Sequence, residues 1–106
     1  MIKLSVMYPY SPEAHFDHAY YRDRHLPMLK ERMGEHCRYY TIDQGISSVA
    51  PGSAPAFIAM CHVYSDSLES LMAGLAPHSA ELAADIPNFT NITPVRQVSE
   101  VVVDRS

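Results

Sequence analysis

Glycine is scarce in this chain of 106 residues, four in all, and the patterns that cradle phosphates or present a nucleophilic serine (GxGxxG, GxxxxGK, GxSxG) are missing. Dinucleotide-binding, phosphate-loop and serine-hydrolase chemistry therefore have no carrier here. Cysteine is scarcer still. Cys37 and Cys61 show no CxxC spacing and fall in strand-like segments, so they read as reduced, buried thiols rather than as a disulfide. Eight basic against twelve acidic residues leave a formal charge of −4, without the dense positive field that a phosphate backbone demands, which argues against nucleic acid as a partner. No apolar stretch approaches the roughly 20 residues needed to cross a bilayer, and no charged segment leads into an apolar run as in a secretory signal. The expectation is a cytoplasmic protein without membrane contact.

What is present suits one domain, residues 1–106: 47% of the residues are apolar and 19% charged, enough for a single core with little margin. Ile2, Leu4 and Val6 alternate with Lys3 and Ser5, which predicts a first strand ended by Pro9 and Pro12. A helical pattern runs from Glu13 or Ala14 to about Met33, with Ala19, Leu26, Leu29 and Met33 on one face and Gly34 placed to stop it. Residues 36–45 and 56–64 are rich in aromatic and β-branched side chains and read as two strands joined by a flexible loop around Pro51-Gly52. Asp66 is placed to cap a second helix whose stripe is Leu68, Leu71, Met72, Leu75 and Ala76. Pro77 interrupts it and opens a short further helical piece. Thr93 to Val103, with Val95, Val98, Val101, Val102 and Val103, reads as a long terminal strand.

The order β-α-β-β-α-β predicts an α+β, ferredoxin-like domain: a four-stranded antiparallel sheet with both helices on one face. The other face would carry apolar side chains into water, so a homodimer through that face is expected.

Six histidines are a large share for this length, and imidazole is the side chain best suited to proton transfer near neutral pH. His18, Tyr21 and His25 are spaced i, i+3, i+7, a polar stripe bordering the apolar helix face. Pro27 cannot donate to the carbonyl of Asp23 and crowds it, so the helix should bend beside His25, tipping the ring toward the sheet and freeing a carbonyl to set its tautomer. His25 is the candidate general base, with a partly exposed helical histidine as the plain alternative. His78, after Pro77, and Asp85, seven residues on, are candidate partners in proton transfer; Asp85 could equally be a solvated helix-end acid. Tyr20, Tyr21, His62 and Asn88 are candidate substrate contacts. His62 alternates with Ile58, Met60 and Tyr64, so it points either into the helix-covered cleft or toward a partner sheet. His15 and His18 stand three apart, but no HExxH or zinc-finger spacing accompanies them, so neither a metal site nor any other cofactor is expected.

These residues carry a resemblance. The opening strand with Tyr8-Pro9, the run Tyr20-Tyr21-Arg22-Asp23-Arg24-His25-Leu26-Pro27, Phe57 to Val63, Asp66-Ser67-Leu68-Glu69, and the stretch from Ala76-Pro77-His78 through Asp85-Ile86-Pro87-Asn88-Phe89-Thr90-Asn91-Ile92 resemble the EthD family, named from ethyl tert-butyl ether degradation. The resemblance runs nearly end to end and implies membership of the dimeric α+β barrel superfamily. Related barrels include cofactor-free monooxygenases, cyclases, decarboxylases and isomerases acting on aromatic or polyketide-like molecules. The leading expectation is thus a small cofactor-independent enzyme that uses His25 on an apolar or aromatic oxygenated molecule. The alternative is a non-catalytic dimer that binds a hydrophobic ligand or supports an oxygenase system.

Overall fold

In the computed structural model, which describes residues 1–106, the N-terminal alternation becomes β1 (Ile2–Pro9). It pairs antiparallel with β3 (Phe57–Ser65) on one side and β4 (Val95–Glu100) on the other, and β2 (Tyr39–Gln44) lies outside β3. The sheet order is β2-β3-β1-β4, the predicted ferredoxin-like α+β arrangement. Register places Leu4, Val6 and Tyr8 opposite Val63, Cys61 and Ala59, and all six are buried on one face. Helices cover that face. Tyr21, Leu26, Leu29, Met33, Leu71 and Leu82 complete the core, with Phe89 fully buried among Tyr8, Phe16 and Tyr21. Both cysteines are free and buried.

The first helix starts later than its periodicity predicts. Residues before it are held by an isolated bridge between Phe16 and Thr90, and Asp17 caps α1 (His18–Tyr20) by accepting from the Tyr20 amide at 3.0 Å. Ala19, expected on the apolar face, is exposed. The helix continues through a π segment, Tyr21–His25, into α2 (Leu26–Met33), and Gly34 ends it at a positive φ of 56°. A 3₁₀ turn, Gly34–His36, takes up the first residue of the predicted second strand, and β2 itself begins at Tyr39.

The cap of the next helix, α3 (Leu68–Leu75), is Ser67 rather than Asp66: its extended backbone lets the hydroxyl accept from the Ser70 amide at 3.0 Å. Asp66 instead pairs with Arg38 at 2.9 Å. Only part of the expected stripe is buried. Leu71 is fully covered, while Leu68 and Met72 are exposed. After the 3₁₀ turn Ala76–His78 comes α4 (Ser79–Asp85). β4 is shorter than predicted, and Val102 and Val103 beyond it are exposed. No helix is long and apolar enough to cross a membrane.

The open sheet face differs from the expected apolar surface. By register, Met7, Met60, Tyr64, Tyr39 and Val95 share it with Lys3, Ser5, Thr41, Asp43, His62 and Gln97. Its polar half is organised, as His62 shows below.

Candidate active site

Proline explains where the site forms. Pro27 has no N–H for the carbonyl of Asp23 and its ring needs room there, so the preceding turn widens and the Leu26 amide bonds back five residues to the Tyr21 carbonyl. The predicted bend is thus a π turn ending at His25. It buries the imidazole, 6% exposed, stacked on Tyr21 with ring centroids 5.6 Å apart and against Phe89 at 4.7 Å.

The group that sets the His25 tautomer is a carboxylate, not the freed backbone carbonyl that the bend suggested. Nδ1 of His25 lies 2.8 Å from Oδ2 of Asp85, at the end of α4. Oδ1 of Asp85 accepts from the Tyr20 hydroxyl at 2.7 Å and from the Asn88 amide at 2.9 Å. Burial works to raise the Asp85 pKa, yet the donors His25, Asn88 and Tyr20 together hold it below the ordinary carboxylate value. An ionised carboxylate only accepts, so Nδ1 of His25 carries the hydrogen and donates it. Burial dominates at His25 itself and lowers its pKa, with Asp85 opposing. The imidazole is therefore neutral near pH 7, and Nε2 is a basic nitrogen without a protein partner. The hydrogen bond to Asp85 raises the Tyr20 phenol, keeping it protonated as a donor.

Two chain segments must be locked together for this to hold. The Asp17 amide donates to the Phe89 carbonyl at 2.8 Å, the Thr90 hydroxyl donates to the His15 carbonyl at 2.6 Å, and Asn91 bonds the backbone of His15 and Glu13 at 2.9 and 3.1 Å. The stretch after α4 thereby staples the start of α1, and Tyr20, His25 and Asp85 inherit their spacing from it.

The His25 ring lines a cavity of about 500 Å³ between helices and sheet, within the usual range for small-molecule sites. Leu4, Val6, Leu26, Leu29, Leu82 and Ile86 form apolar walls, and twelve of fifteen lining residues are hydrophobic; the others are His25, Ser79 and Arg96. Tyr8, Tyr21 and Cys61 also line it. Burial raises both phenols beyond the usual tyrosine range, with Cys61 adding to the effect, and pushes the Cys61 thiol up to about 11. All three stay protonated at neutral pH. Asp85 stands behind the imidazole, outside the cavity lining.

The structure thus brings together His25, Asp85, Tyr20 and Asn88, with Tyr21 in the cavity wall. His78 and His62 lie apart. His78 belongs to the 3₁₀ turn before α4, and from that stretch Ser79 and Ala80 line the cavity instead. His62 is on the open sheet face, where Nδ1 meets the Ser5 hydroxyl at 2.7 Å and Nε2 lies 3.3 Å from Asp43. Of the two directions left open for it, the ring takes the one away from the cleft. Phe89 and Arg96 were not predicted as site residues. Phe89 is apolar and reads as core; Arg96 stands on the helix-covered side of β4 only because register places it opposite Val6. No group of three or more His, Cys, Asp or Glu side chains is arranged to hold a metal ion.

The model of the EthD domain matches residues 11–93, the segment that holds every member of the His25–Asp85 network. The chain belongs to the EthD family. An EthD-like protein from Ralstonia eutropha JMP134 is 54% identical, with a TM-score of 0.95 over 99% of this chain and 95% of that one. An EthD family protein from Bacillus halodurans C-125 is 23% identical, with a TM-score of 0.65 over 94% and 97% of the two chains. The Arabidopsis thaliana protein At3g17210, 9% identical, shares the fold alone, with a TM-score of 0.67 over the full length of both. None of the curated proteins matches the chain.

Proposed function

We propose that this EthD protein is a small enzyme that needs no cofactor and moves a proton on an apolar or aromatic oxygenated molecule, with His25 as general base. The observation that carries the reading is a buried, neutral imidazole lining an apolar cavity, with Nδ1 held by an ionised Asp85 and Nε2 free of protein partners. A substrate C–H beside a carbonyl would give its proton to Nε2, and the electron pair would pass into the adjacent carbonyl as an enolate. The imidazolium so formed is balanced by Asp85, which Tyr20 and Asn88 hold in place. Returning the proton elsewhere gives an isomerisation; attack by the enolate carbon on a second carbonyl gives a ring closure. Decarboxylation and monooxygenation are the other members of the proposed reaction class. Tyr21 contributes to substrate contact through the cavity wall, and His62 and His78 are given no part in proton transfer.

A second reading, a non-catalytic carrier or accessory protein, is favoured by the predominantly apolar lining. A mass-spectrometric screen of aromatic and polyketide-like compounds separates the two. Turnover by the native protein that falls about 10²–10⁴-fold in His25→Ala, the usual worth of a general base, supports the enzyme. Retained binding without turnover in either protein supports the carrier.

The partner proposed besides the small molecule is a second copy, packed through the open sheet face. Met7, Met60, Tyr64 and Val95 supply apolar contact there, and Lys3 and Asp43 supply opposite charges on one surface, a pattern compatible with a self-complementary two-fold interface.

A further inference from the structure

The cavity has one charged wall that the His25 network does not use. Arg96 lies opposite Val6 in the register of β4 and β1, and Val6 lies opposite Cys61 in β3, so the three form a row across the helix-covered side of the sheet. Arg96, itself solvent-exposed, lines the cavity at the sheet's edge strand, whereas the buried His25 lines it from the helices. Of the other arginines, Arg22, Arg32 and Arg38 are each engaged by a carboxylate within 3 Å; Arg24 and Arg105 are unpaired like Arg96, but neither lines the cavity. Arg96 makes no ion pair or side-chain hydrogen bond, and no Asp or Glu lines the cavity with it. Its charge acts on this wall: burial raises the pKa values of Tyr8 and Cys61, and Arg96 works against both.

A guanidinium stays charged at any physiological pH and presents a planar fork that matches a carboxylate. We propose that Arg96 is the anion anchor of this cavity and that its ligand is an apolar or aromatic carboxylic acid, the carboxylate on Arg96 and the hydrophobic body turned toward His25. The proposal rests on the small-molecule reading above and names the class of that molecule. A monoanionic carboxylate fits better than a phosphate, because the only other ionisable base on the cavity is the neutral His25 and the pocket offers a single fixed cation. Anchoring an acid on a residue other than the base leaves the reacting carbon free, since the anchor is not the proton donor. It also selects one end of an elongated molecule, which an apolar wall cannot do.

The test compares 2-naphthoate with 2-naphthamide, nearly isosteric probes that differ in charge. The chain contains no tryptophan, so naphthalene fluorescence is read without indole background. The native protein should bind naphthoate about tenfold tighter than the amide, the scale of one charged hydrogen-bonded contact, and Arg96→Gln should bring the two within about twofold. The loss in the variant should fall mainly on naphthoate, and an unchanged far-ultraviolet circular dichroism spectrum shows that the variant is folded. Equal affinities in the native protein overturn the proposal, and so does a preference for naphthoate that survives Arg96→Gln. Binding of neither probe overturns it together with the small-molecule reading, whereas tight amide binding without charge preference spares that reading and removes only the anchor.

Discussion

At His25 two effects oppose each other, and burial wins. The imidazole loses solvation of its charged form, which lowers its pKa, and the Asp85 carboxylate recovers only part of that cost. The sign has consequences for pH. Unfolded chain takes up a proton at histidine near pH 6.5 while folded His25 does not, so stability falls as pH drops below about 6.5 toward the folded value. Asp85, whose folded pKa is depressed, adds stability that is full above about pH 4 and is lost as pH falls through its folded value. Both groups favour neutral over acidic conditions; urea midpoints compared at neutral and mildly acidic pH should decrease in acid. Catalysis by the neutral base should likewise rise with pH through a value below 6.5. Asp85→Asn removes the charge that opposes burial, so the His25 pKa should fall further, measured by NMR titration of its ring; a rise would contradict the network described.

On the scale of elements, proline and glycine place the site more than the histidines do. Pro27 provokes the π turn, and replacing it with Ala restores an N–H to the Asp23 carbonyl. Pro27→Ala should hold or raise the melting temperature while reducing turnover, because a relaxed α turn rotates His25 away from Asp85. Gly74 lets α3 approach the turn at His36: a Cβ built there would sit 2.4 Å from the His36 Cβ. Gly74→Ala should therefore destabilise by about 1–3 kcal/mol in urea unfolding, the usual cost of overpacking. Thr90→Val removes two hydrogen bonds at the staple, to the His15 carbonyl and from the Ile92 amide, and should cost about 1–3 kcal/mol with a looser Tyr20–Asp85 contact. These elements also show what a sequence can and cannot disclose. Pro27 and the stripe that His25 shares with His18 and Tyr21 bring His25 into view, and the seven-residue spacing from His78 brings Asp85, because neighbours along a helix are neighbours in space. Arg96 stays hidden because an isolated charge in an edge strand declares its face only when register is known. His78 misleads for a related reason: Pro77 promises a helix start, but the first turn is 3₁₀ and its ring falls outside the cavity.

For the whole molecule, the alternating and helical periods suffice to predict the βαββαβ order, since each strand and helix here must bury one face against the other layer. The ends of elements were less legible: Ser67 rather than Asp66 caps α3, and β4 stops at Glu100 although valines continue beyond it. The open sheet face, half apolar and half polar, should be covered by a second copy. Light scattering at micromolar concentration is expected to give twice the chain mass of 11.9 kDa; a stable monomer would contradict the proposed dimer. The central claim, however, is local, and long-range ¹H–¹⁵N correlation spectra of the His25 ring near pH 7 test it most directly. The account predicts a neutral imidazole protonated at Nδ1 with Nε2 bare; an imidazolium, or a ring protonated at Nε2, would contradict it.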